Sequence, residues 1–258
     1  MDALPTSLAD YGPASLSAVA VAVYLVVGEP VVGAVLHRRF EGRLRSDTGA
    51  RRSFYRRLLL LEWGLALLAL VIWLSAPGVD AAAVGLRWPG GWPGPLAAVL
   101  VLLVVVFVVA STRALRGGVL ARLPAATGVE GRHAEPPVHA TLALLPRTAG
   151  ERRLFTVVGL TAGICEEWLY RGFFLAVVSA VAGGPPAGVL VAAAAGAFGL
   201  AHAYQGVGGV LATAVLGAVM ATVYLDTGSL LVPVLLHALI DLRFLVVPTR
   251  ALPPAGVR

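Results

Sequence analysis

Apolar residues in this chain come in long blocks rather than in alternation. Seven blocks lie near 14–36, 57–76, 94–112, 155–178, 185–204, 207–226 and 229–247, and a helix needs about 20 apolar residues to cross a bilayer. Pro and Gly clusters punctuate them: Pro77-Gly78, Pro89-Gly90-Gly91, Gly183-Gly184-Pro185-Pro186 and Gly206 to Gly209. Strands would need alternation, which is absent, and only helices satisfy their own backbone in lipid with this pattern. The expected fold is all-α: a polytopic transmembrane helical bundle of about seven spans. The sequence shows no internal repeat and leaves no room for a sizeable soluble domain.

The polar gaps between the blocks carry an orientation signal. All 20 basic residues are arginine, and 15 of them fall in two stretches, Arg38 to Arg57 and Arg113 to Arg153, whereas the gap 77–93 holds only Arg87. Arginine-rich loops stay in the cytoplasm, which places the N-terminus outside and the C-terminus inside. Leu144 to Phe155 reads as a short amphipathic helix on the cytoplasmic interface. Trp88 and Trp92, beside Arg87, read as an interfacial anchor. Residues 1–13 lack the basic region of a cleavable signal peptide.

Composition sharpens the class. The chain of 258 residues is 58% hydrophobic and 13% charged, with a mean hydropathy of +0.85, against roughly 25% charged in soluble domains. A net charge of +6 alone would admit nucleic acid as a partner, but juxtamembrane arginines set topology and meet anionic head groups, so the expected partner is the lipid bilayer, with no nucleic acid. Lysine is absent beside abundant Ala, Gly and Arg, a composition of GC-rich bacterial genomes, so the expected location is a bacterial plasma membrane. Cys165 is the only cysteine; no intrachain disulfide is possible, and apolar surroundings make it a packing residue rather than a nucleophile.

The chemistry is concentrated in a few polar residues inside apolar spans. Cys165-Glu166-Glu167-Trp168-Leu169-Tyr170-Arg171 puts two carboxylates and a guanidinium into the fourth block. A charged side chain at bilayer depth costs about 2.5–3.5 kcal/mol on insertion scales, so such residues are rare and usually functional. Four-residue spacing puts Glu166 and Tyr170 on one helix face and Glu167 and Arg171 on the next. The second pair can neutralise itself, leaving Glu166 free for chemistry; a purely structural reading has both glutamates pairing with arginines. Phe198 and His202 share a face in the fifth block, and His237 and Asp241 share one in the seventh, where the carboxylate can hold the imidazole in one tautomer. Each pair alone also fits a structural role. Glu29 reads as lining a cavity and Glu62 as facing the cytoplasmic interface or pairing with an arginine, both structural; Gly206, Gly208, Gly209 and Gly217 read as close helix packing.

The order Glu-Glu-x-x-x-Arg, Phe-x-x-x-His, His-x-x-x-Asp resembles the CPBP family of intramembrane proteases, also called the CAAX-protease/Abi family and related to the Ras-converting enzyme. Relatives of that enzyme carry Asn at the last position, where this chain has the bacterial variant Asp241. The resemblance covers roughly Leu144 to Val247. It divides the chain into N-terminal transmembrane helices with basic cytoplasmic loops, 1–143, and a protease core, 144–250. It implies a glutamic-type endopeptidase cutting a membrane-associated protein or peptide, with Glu166 and His202 activating water and His237 and Asp241 facing the oxyanion. Glu167, Arg171, Phe198 and Tyr170 would be structural or substrate-positioning. An ionised Asp241 would repel an oxyanion, so it must be protonated, orient His237, or bind a metal. Glu166, His202, His237 and Asp241 would be the ligands if zinc were present; without a His-Glu-x-x-His motif, the expected site is metal-free. A proton-coupled transporter and a non-catalytic scaffold or immunity protein are the competing classes. The absence of a repeat counts against the transporter.

Overall fold

The computed structural model describes residues 4–44, 47–122 and 142–252. The middle of the expected arginine-rich loop, 123–141, lies outside the described residues. Helix α1 (Ser15–Val23) runs through a π turn (Tyr24–Gly28) into α2 (Glu29–Leu44). Helices α3 (Ala50–Leu74) and α4 (Pro95–Arg116) follow. Helix α5 (Ala149–Glu167) continues through a second π turn (Trp168–Phe173) into α6 (Phe174–Ala182). Helices α7 (Ala187–Ala201), α8 (Gly206–Thr227) and α9 (Leu231–Leu242) complete the bundle. No strand occurs among the described residues.

Four helical stretches have the length and hydropathy to cross a membrane: Leu8–Leu44, Ala50–Leu74, Pro95–Arg116 and Ala203–Thr227. Their outward faces are apolar and unpacked, as lipid requires; Leu96, Leu102, Val207 and Leu211 are all exposed. The α5–α6 rod is roughly 50 Å long, long enough to cross, but carries the charged motif. Helix α9 covers only about 18 Å of the roughly 30 Å hydrocarbon core.

The helix boundaries obey local chemistry. Thr148 Oγ1 accepts from Glu151 N at 3.2 Å, and Glu151 Oε2 accepts from Thr148 N at 3.0 Å and from Arg147 N at 2.7 Å, a reciprocal cap that starts α5. The expected interface helix over Leu144 to Phe155 is therefore corrected: the chain is non-helical at 145–148, and 149–155 are the first turns of α5 itself. Arg51 Nε (3.0 Å) and Tyr55 Oη, both on α3, donate to the carbonyls of Ala143 and Leu144 and tie this break to α3. Gly183, at φ +70° where a side chain is strained, ends α6, and Pro186 opens α7.

The main core, with Tyr11, Leu25, Ala69, Phe173, Leu175 and Phe198, joins α1, α3, α6 and α7. A smaller cluster of Val104, Met220, Leu236 and Ile240 seats α4 against α8 and α9. Helices α5 and α9 come unusually close. A Cβ at Gly163 would stand 3.1 Å from Ala238 Cβ and 3.1 Å from Val234 O, and one at Gly159 would stand 3.3 Å from Asp241 Cβ. The Gly159-x-x-x-Gly163 stripe thus brings the backbone of the seventh block onto that of the fourth.

Candidate active site

Helix α5 delivers Glu166 and Glu167 at its last turn. The π turn begins at once: Phe174 N bonds Leu169 O, five residues back, and the extra residue rotates the faces of α6 by roughly 100° relative to those of α5. Arg171 emerges from this turn with Nη1 3.0 Å from Glu167 Oε1. Both side chains are 0% exposed. Arg171 Nη2 also reaches Gly217 O at 3.4 Å, and its guanidinium lies 4.3 Å from the Phe198 ring centroid. Gly217 makes this possible, since a Cβ there would meet Phe198 Cβ at 3.2 Å. The expected Glu167–Arg171 pair thus forms, walled in by α7 and α8.

Glu167 has a second task, one expected of Asp241. Its Oε1 lies 2.7 Å from His237 Nδ1. Asp241 Oδ2 lies 3.8 Å from His237 Nε2, beyond hydrogen-bond reach. The expectation that Asp241 orients His237 is corrected: Glu167 does so, because close packing of α9 on α5 brings the ring onto this fully buried carboxylate. With Nδ1–H donating to Glu167, Nε2 faces Glu166 Oε2 at 3.9 Å and Asp241 at 3.8 Å. Those gaps suit a water or a substrate oxygen between the groups.

His202 sits one residue past the end of α7. Its Nδ1 donates to Phe198 O at 2.9 Å, capping a carbonyl that the helix leaves free. That bond fixes the tautomer and leaves the Nε2 lone pair unused. The Phe198 ring packs against both histidines as well as the guanidinium, 4.7 Å from His202 and edge-on at 5.9 Å from His237.

A cavity of about 490 Å³ collects these groups. Glu166, His202, His237, Asp241 and Tyr170 line it; Glu167, Arg171 and Phe198 stand behind its wall. Glu166 and Asp241 side chains keep 21% and 32% exposure there. Glu166 Oε2 is buried without a hydrogen-bond partner. Glu166 and His202 share the cavity without a hydrogen bond between them among the described residues.

Two acids from the N-terminal helices join this cavity. Glu29 on α2 lines it, as expected. Glu62 on α3 lines it too, and no described arginine pairs with it, which corrects the ion-pair expectation. Their signal in the sequence is the same as that of Glu166, a carboxylate deep in an apolar block. The Gly-x-x-x-Gly stripe on α5 is the sequence signal that could have revealed the contact between α5 and α9. Cys165 is fully buried in the main core, as a packing residue would be.

Among the described residues no three His, Cys, Asp or Glu side chains are gathered as metal ligands.

Residues 149–243 match the family described as Type II CAAX prenyl endopeptidase Rce1-like. No curated protein and no solved structure matches the chain. The matched segment opens at the cap of α5, closes after α9, and contains all three motif pairs. Motif order, their meeting around one cavity and this match together assign the 149–243 core of the chain to the CPBP, or CAAX-protease, family.

Proposed function

We propose that this chain is an intramembrane endopeptidase in which Glu166, aided by His202, activates a water against a peptide carbonyl. The family match supports endopeptidase activity in general. The observation that carries the finer reading is Glu166, a carboxylate on the cavity wall whose side chain keeps 21% exposure and whose Oε2 has no donor to meet it. A water placed between Glu166 and His202 Nε2 supplies that donor. As its oxygen adds to the carbonyl carbon, Glu166 accepts the proton. The tetrahedral oxyanion then faces His237 Nε2 and Asp241. Glu167 holds His237 through Nδ1 and stabilises the doubly protonated ring that donates from Nε2. Since Glu167 already orients His237, the useful form of Asp241 beside an oxyanion is the protonated one. Collapse of the intermediate breaks the C–N bond, and the proton held by Glu166 passes to the departing amine, giving a free acid and a free amine.

We assign Glu167, Arg171 and Phe198 to positioning, and we read the mechanism as metal-free. The substrate is a membrane protein or membrane-associated peptide. The arginine distribution supports an N-terminus outside and a C-terminus inside. The test compares protein termini in membranes of cells carrying the wild-type chain or Glu166→Gln at matched amounts of folded protein. The expected result is a set of termini that vanishes in the variant. Identical termini under several growth conditions would refute the endopeptidase reading.

A further inference from the structure

The cavity is more acidic than hydrolysis requires. Four carboxyl groups line it, Glu29, Glu62, Glu166 and Asp241, and no arginine does, in a chain with 20 arginines and no lysine. Glu29 and Glu62 take part in no ion pair among the described residues. Two further atoms point to something that the protein does not supply. Glu62 Oε2 and the Tyr170 hydroxyl oxygen are both shut from solvent, and both lack any hydrogen-bond partner. Tyr170 is 3% exposed and lines this same cavity. A carboxylate oxygen accepts only, so what Glu62 Oε2 lacks is a donor, and the Tyr170 hydroxyl oxygen can accept as well. An ammonium brings three and a guanidinium five, each with the charge that buried carboxylates call for. Much of the remaining wall, with Val32, Leu36, Phe54, Leu58 and Leu65, is apolar, and Tyr24, His37, Tyr204 and Gln205 add polar groups to it.

We propose that Glu29 and Glu62, with the Tyr170 hydroxyl, form a cation subsite that receives an ammonium or guanidinium carried by an otherwise apolar peptide substrate near its scissile bond. The inference rests on the endopeptidase reading and adds to it a substrate class. It also divides the labour. The two acids stand on α2 and α3, outside the 149–243 segment, so the N-terminal helices select the substrate while α5, α7 and α9 carry the chemistry.

The test uses the full chain in phosphatidylcholine nanodiscs and quenched fluorescent apolar decapeptides. One lysine, glutamine or glutamate is scanned through each position, with free or acetylated N-termini. The readouts are kcat/KM and, separately, binding by fluorescence anisotropy. Wild type is expected to favour lysine over glutamine at one position by about tenfold or more. In Glu29→Gln/Glu62→Gln that ratio falls toward one, and in Glu62→Lys the glutamate peptide becomes the better substrate. The single Gln variants serve if the double variant fails to fold. A preference seen only with a free N-terminus assigns the cation to a chain end; one that survives acetylation assigns it to a side chain. Cleavage without lysine preference, or with a preference unchanged in the Gln variants, overturns the subsite and leaves the protease reading intact. Tighter binding of lysine peptides that depends on Glu62, without cleavage of any peptide, upholds the subsite and overturns the protease reading. Equal binding of all peptides overturns the subsite.

Discussion

Glu167→Gln tests the frame of the site with little change of shape. Glu167 Oε1 is shared by Arg171 at 3.0 Å and His237 at 2.7 Å, and Glu167 and Arg171 are both sealed from solvent. Among the described residues Arg171 makes no other ion pair; its remaining contacts are the Gly217 carbonyl and the Phe198 ring. Gln at 167 keeps the carbonyl oxygen but removes the charge, so a guanidinium stays buried beside neutral groups. Breaking a buried pair from one side costs about 3–5 kcal/mol. A native protein holds about 5–15 kcal/mol in total, so the loss is a large share. Removing the cation as well, in Glu167→Gln/Arg171→Met, takes away the stranded charge and should recover roughly 2 kcal/mol despite a second substitution. The assay is reversible unfolding in mixed micelles by SDS titration, on wild type, both single variants and the double variant. Glu167→Gln within about 0.5 kcal/mol of wild type, or a double variant as weak as the two losses added, would refute the argument that this pair is coupled and charged.

Three other outcomes are expected from the same geometry. Gly163→Leu forces α9 off α5, since even a Cβ meets Ala238 at 3.1 Å; overpacking should cost about 1–3 kcal/mol, and moving His237 by an ångström should lower kcat by about 100-fold, whereas wild-type turnover in the folded variant would show that this contact does not position the ring. Asp241→Asn keeps a hydrogen-bond donor and should retain turnover within about tenfold, while Asp241→Leu should lose about 100-fold; an inactive Asn variant with normal unfolding would mean that the carboxyl itself is needed. Turnover should be unchanged after dialysis against EDTA or ortho-phenanthroline, and loss that zinc restores would refute the metal-free mechanism.

The legible parts of this protein are those that depend on short separations. Block length and the absence of alternation dictate helices, because lipid leaves the backbone no other partner. Glu167 and Arg171 are four residues apart on one helix, so their pairing can be read from spacing, even across a π turn that the sequence does not announce. His202 is four from Phe198, and its cap on that carbonyl is equally local. The start of α5 is also written locally, in Thr148 and Glu151, although the pattern around them fits a separate interface helix as well.

The sequence alone determined that this is a helical membrane protein with three polar pairs in family order. The tertiary structure decided which groups those pairs meet. Glu167 and His237 are 70 residues apart and touch only because Gly159 and Gly163 let α9 settle onto α5. Asp241, four residues from His237, lost the orienting role to that distant carboxylate, since a 2.7 Å contact outweighs a 3.8 Å one. Glu29 and Glu62 could not be placed beside the motif residues because a sequence cannot say that two helices outside the motif line the same cavity. Helix formation is governed by neighbours along the chain, but the site is governed by which helix faces meet, and that is set by side-chain volume at a few crossing points.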